Sequence, residues 1–115
     1  MVAAEAAACG ALPICAGHSG LAEVTSILGE KLPPKVRALL TFERGMHSVR
    51  DLGEAMNEWL ELDDRLRASA RAALTSTADD NFGWESVAEI VLAASRGKLT
   101  GLEPVAGEVP FSTPA

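Results

Sequence analysis

Clustered basic residues are missing from this chain: its ten Lys and Arg are scattered singly over 115 residues, and the net charge is −6. A surface without a basic cluster cannot track a phosphodiester backbone. Nor is it drawn to an anionic bilayer, so neither nucleic acid nor a membrane surface is an expected partner. Cysteine is scarce as well. Cys9 and Cys15 are the only two; their spacing is not CxxC, and no His or further Cys lies at zinc-ligand spacing from them. A metal site is not expected, and two small buried thiols in a reducing cytoplasm are. No apolar run reaches the ~18–20 uninterrupted residues that span a bilayer, because Gly10, Pro13, Gly17 and His18 interrupt the most apolar stretch. That stretch, residues 1–24, has one acid, Glu5, and no Lys or Arg. It therefore lacks the basic n-region of a signal peptide.

What is present is aliphatic. The apolar fraction is 48%, rich in Ala and Leu and with no Tyr, which excludes disorder throughout. A chain of this length makes one domain at most, burying roughly two thirds of its unfolded surface. Residues 2–9 are mostly Ala, and Gly10 is placed to cap that helix in the left-handed conformation; Glu5 in the first turns suits the positive end of the dipole. Residues 11–16 read as a short strand buried on both faces, with Pro13 near its start. Gly17, His18, Ser19 and Gly20 read as a loop. Leu21, Val24, Thr25 and Leu28 have helical spacing, ended by Gly29.

Pro33 and Pro34 mark a turn, residues 36–42 read as a second short strand, and residues 44–47 as a loop. The rest is helical. Ser48 and Asp51 resemble a capping box, after which Val49, Leu52, Met56, Trp59 and Leu60 share a face. Asp63 and Asp64 open a helix with Leu66, Ala70, Ala73 and Leu74 on one stripe. Residues 78–83 read as a polar break. Trp84, Val87, Ala88, Val91 and Ser95 form a last amphipathic face ended by Gly97. Both Trp59 and Trp84 are expected in the core. Residues 100–115 show no periodicity and read as a flexible tail, leaving residues 1–99 as the folded unit.

The fold class is thus α/β and helix-rich, with few parallel strands. Two short strands do not make a sheet of normal width, so further strands are expected from a preceding part of the same fold. An unpaired edge would otherwise offer self-association.

The order of these features resembles a known family. AAEAAACGALPICAGHSGLAEV and the closing DDRLRASARAALTSTADDNFGWESVAEIVLAA look like the second half of the C-terminal, donor-binding domain of retaining nucleotide-sugar glycosyltransferases of the family-4 type, which have the GT-B fold of two Rossmann-like domains. The resemblance runs over residues 1–97 and includes Phe82, Trp84 and the Val87, Ala88, Glu89 triplet. The family's central motif is a pair of glutamates with seven residues between them. The second binds the ribose hydroxyls of the nucleotide, and Glu5 aligns with it; the first, which contacts the transferred sugar, would precede Met1.

The resemblance implies transfer of a hexose from a nucleoside-diphosphate sugar to a hydroxyl acceptor with retention, without a metal or other cofactor. It implies donor-binding roles for Glu5, for the backbone of Met1 and Val2 at the phosphate-facing turn, and for Gly17, Ser19 and Gly20 in the loop beside the donor. The chemistry is sound: a carboxylate offers two acceptor oxygens to a vicinal diol, and free amides at a helix start face a diphosphate. Taken on residue type alone, Glu5 is a helix-start acid, and the loop is read equally as a structural turn or a donor contact. His18 has no partner that would make it catalytic. Because the 115 residues hold neither an acceptor domain nor the first glutamate, they are expected to be inactive alone. The other reading of the chain is a small non-enzymatic helical module for interaction or oligomerisation.

Overall fold

The computed structural model describes residues 1–100, so the tail expected over residues 100–115 lies, Thr100 apart, outside the described residues. The chain is α/β and helix-rich, with two parallel strands. In order it forms α1 (Val2–Ala8), β1 (Cys15–Ala16), α2 (Ser19–Leu28), α3 (Pro34–Arg37), a 3₁₀ turn (Ala38–Leu40) and β2 (Thr41–Phe42). The long helices α4 (Ser48–Glu61), α5 (Asp64–Phe82) and α6 (Trp84–Ser95) follow.

The Ala-rich start ends where its glycine predicts. Gly10 has φ +80°, its N–H donates to the Ala7 carbonyl at 2.9 Å, and the Ala11 N–H donates back to Ala6 at 2.9 Å. These two bonds are the Schellman pair that a left-handed residue after a helix makes possible. α1 lies on α5 because Ala3, Ala4 and Ala7 are buried at the contact and small side chains allow close approach. From α5, Arg71 Nε donates to the Gly10 carbonyl at 2.7 Å, tying the end of α1 to the longest helix.

Both strands are shorter than their apolar runs suggest. Within residues 11–16 only Cys15 and Ala16 pair, opposite Thr41 and Phe42; Leu12 and Ile14 are half-buried rather than enclosed on both faces. A ladder extends only as far as its partner, and the partner is cut short. Pro34 takes the first helical position, where its missing N–H costs nothing, so residues 34–40 coil instead of extending. That turn carries Val36, Leu39 and Leu40 into the core. Arg37 secures the approach, its guanidinium donating to the carbonyls of Gly29 at 2.8 Å and Leu32 at 3.1 Å.

The core gathers Leu28, Leu32, Val36, Leu39, Leu40, Leu62 and Leu74 with Ala7, Ala55, Ala70 and Ala78. α5 is its spine. Asp63 caps it, accepting from the N–H groups of Arg65 at 2.9 Å and Leu66 at 3.3 Å, and its predicted stripe faces inward. It then runs through residues 78–82 without the expected break, because Thr77 and Ala78 are still buried. The capping box at Ser48 does not form: Ser48 Oγ turns back to the Gly45 amide and carbonyl at 2.8 and 2.9 Å, while Asp51 pairs with Arg50. Trp59 packs against the core, but Trp84 is 87% exposed. α6 closes as predicted, with Gly97 at φ +72°, yet it buries no residue. No helix among the described residues is long and apolar enough to cross a membrane.

Candidate functional site

A parallel pair points both carboxyl ends the same way, and in open α/β sheets ligands bind beyond those ends. Beyond β1 lie Gly17 and His18; beyond β2 lie Glu43, Arg44 and Gly45. The two connections meet. The Gly17 N–H continues the ladder to the Phe42 carbonyl at 3.0 Å, and Arg44 Nη1 stands 3.4 Å from His18 Nε2. Ser48 Oγ, bound to the Gly45 amide and carbonyl, holds the second turn in place.

The predicted four-residue loop is in fact two residues long. Ser19 and Gly20 already belong to the first turn of α2, whose N-cap is His18 with extended backbone and no side-chain cap. The opening amides of a helix have no intrahelical acceptor, and α2 aims its amide end, the positive pole of its dipole, at this rim. Gly17, His18, Ser19 and Gly20 are all exposed. A Cβ at Gly20 would meet nothing within 4 Å, so the space in front of it is open.

Ser19 is the one residue other than glycine with positive φ among the described residues, at +50°. A side chain there crowds the following carbonyl, at a cost of ~1 kcal/mol. Ser19→Gly is expected to raise the melting temperature by a few degrees, as removal of that strain outweighs the added chain entropy. Thermal unfolding followed by circular dichroism would show it, and a lowered midpoint would mean that the Ser19 side chain is itself stabilising.

Of the other predicted residues, Glu5 sits exposed in the first turn of α1, and Met1 and Val2 are exposed at its start. Gly17 lines a shallow recess of about 320 Å³ with Thr25, Arg37, Leu40 and Thr41; Met1, Val2, Glu5, Ser19 and Gly20 do not share it. Of the two cysteines expected to be buried, Cys9 is exposed and Cys15 half-buried, where burial pushes the Cys15 thiol above its ordinary value. No group of three His, Cys, Asp or Glu among the described residues stands close enough to hold a metal ion.

Arg44 is the rim residue that the sequence does not single out. It sits in a short polar loop with no motif, and only the register that sets Ala16 against Phe42 carries it to His18. Comparison of the chain with protein families, with functionally characterised proteins and with solved structures finds no match.

Proposed function

We propose that residues 1–97 form the second half of the nucleotide-sugar-binding domain of a retaining GT-B glycosyltransferase of the family-4 type, in which a hexose passes from a nucleoside diphosphate to a hydroxyl acceptor. One observation supports this beyond the resemblance. The carboxyl ends of the parallel strands open onto an exposed rim where the amide end of α2 and the Arg44 guanidinium converge, a setting suited to a diphosphate. In this reading Gly17, Ser19 and Gly20 give the donor close backbone approach, and Glu5 accepts from the ribose diol. The backbone of Met1 and Val2 faces the phosphates, and departure of the diphosphate is eased by amide dipoles and positive charge rather than by a metal. The free edge of β1 is where further strands of the domain pair.

The 115 residues are expected to bind nucleoside diphosphates only weakly, with Kd near or above ~1 mM, equivalent to about −4 kcal/mol. No turnover of UDP-, GDP- or ADP-sugars is expected. A titration of the ¹⁵N-labelled chain with UDP, GDP and ADP should move the amide resonances of Glu5, Gly17, Ser19 and Gly20. Failure of all three nucleotides to perturb those amides at about 10 mM would overturn the proposal, whereas transferase turnover by the chain would overturn only the expectation that it is inactive alone.

A second reading, a non-enzymatic association module, draws on the apolar side chains left in solvent: Val49, Met56 and Leu60 on α4, and Trp84, Ile90, Val91 and Leu92 on α6. Light scattering on the same samples separates the two. A stable dimer at micromolar concentration without nucleotide-induced shifts selects the module.

A further inference from the structure

A second cleft lies away from this rim, where the chain reverses after α1. Cys9, Gly10, Ala11 and Leu12 form one wall; Asp64, Arg67, Ala68 and Arg71 of α5 form the other, with Trp59 of α4 at one end. Its volume is about 620 Å³, within the range that holds a small molecule. Two of the ten basic residues of an acidic chain face one another's neighbourhood here, against a single acid, Asp64.

Both guanidinium groups donate to a backbone carbonyl. Arg67 donates to the Leu60 carbonyl at 3.2 Å and pairs with Asp64; its side chain is only 29% exposed. Arg71 gives its Nε to the Gly10 carbonyl at 2.7 Å. A Cβ at Gly10 would stand 3.6 Å from Arg71 Nε and from Nη2, so the guanidinium lies against the glycine backbone. Among the described residues Arg71 makes no ion pair, and its two Nη groups keep their hydrogen-bonding capacity. Such an edge matches the paired oxygens of a phosphate or carboxylate. Holding it in place beforehand removes much of the ordering cost of binding. The half-buried indole of Trp59 gives the cleft an aromatic wall, against which an apolar ring can lie.

We propose that this cleft binds a small molecule that joins a phosphate or carboxylate to an apolar ring, the anion on Arg71 with support from Arg67 and the ring on Trp59. The site is separate from the nucleotide rim and does not depend on the glycosyltransferase reading.

Trp84→Phe leaves Trp59 as the sole tryptophan and changes a side chain on α6, outside the cleft wall. In that background, titrations with phenyl phosphate, benzoate and benzyl alcohol, followed by Trp59 fluorescence, test the proposal and show which anion is preferred. One or both anions should saturate at about 0.1–1 mM, and the neutral alcohol should bind at least ~10-fold more weakly. Arg71→Lys, which keeps the charge but loses the paired donors, should weaken the preferred anion ~10-fold; Arg67→Gln should weaken it about threefold. Saturating ligand should also slow carbamidomethylation of Cys9, on the cleft wall, and leave that of Cys15 unchanged. Benzyl alcohol binding as tightly as the anions, no saturation with either anion, or full affinity in Arg67→Gln would overturn the assignment. The last two need no change at Arg71, should Arg71→Lys fail to fold.

Discussion

Leu74→Ala is expected to cost about 3–4 kcal/mol of folding free energy. Leu74 is 0% exposed and sits on α5, the helix on which both α1 and α2 pack. Its neighbours cannot close over the loss. Among the described residues seven large aliphatic side chains are buried in the core, and the surfaces that α1 and α5 bring together are mostly alanine. A missing isobutyl group there leaves a cavity, and the cavity adds to the lost transfer energy. A domain of about 100 residues holds some 5–15 kcal/mol in all, so the variant should melt about 12–25 °C lower. Urea unfolding should show a reduced midpoint with an unchanged slope. Leu60→Ala makes the contrast: Leu60 is 64% exposed on α4, and its truncation should move stability by no more than about 0.5 kcal/mol. Equal effects from the two variants would mean that the centre of the core is not where the buried leucines place it.

What could be read in advance divides by the range of the interaction. Gly10 and Gly97 end helices with positive φ, and Asp63 caps α5 through its own carboxylate. Each is settled within a few residues of backbone, and each is legible. The stripe of Leu66, Ala70, Ala73 and Leu74 is equally visible, since its period is fixed by the helix that carries it. The apolar face of α4 is a different case. Periodicity reveals that Val49, Leu52, Met56, Trp59 and Leu60 share a side, but not which neighbour covers it. Only Leu52 and Trp59 of the five are even half-buried, and Val49 is 87% exposed.

The strand expected over 36–42 is cut back to Thr41 and Phe42 for a related reason: β-branched and aliphatic residues suit a ladder and a buried turn alike, and Pro34 at a helical first position decides for the turn over residues 34–40. Ser48 had two competing acceptor arrangements, and the tight turn at Gly45 wins over the helix end. At the candidate site, Glu5 and the glycine loop stand out by type and order. Arg44 comes to His18 only through strand register, a long-range fact. The cleft of Arg67 and Arg71 is hidden in the same way, because its opposite walls are more than fifty residues apart in sequence.

Gly83→Ala should detach α6 while leaving the core folded. Gly83 ends α5 and begins α6, with ordinary extended backbone at φ −66° and ψ 144°, so no torsional strain attends the substitution. The obstacle is space. An added Cβ would stand 2.5 Å from the Asp79 carbonyl oxygen, a backbone atom of the last turn of α5, well inside contact distance. Relief requires either unwinding that turn, which sacrifices the Gly83 N–H bond to the same oxygen, or swinging α6 away.

The second route opposes little resistance. α6 buries no residue, and a hydrogen bond from Ser86 Oγ to the Asp80 carbonyl at 3.1 Å is one of its few ties across the junction. Local opening therefore costs much less than global unfolding. Amide hydrogen exchange in the variant should be at least ~10-fold faster across residues 87–95, with protection around Ala70 and Leu74 preserved. Uniform loss of protection along α5 would show instead that the junction is coupled to the core through Phe82, and that α6 is part of the cooperative unit despite its exposed face.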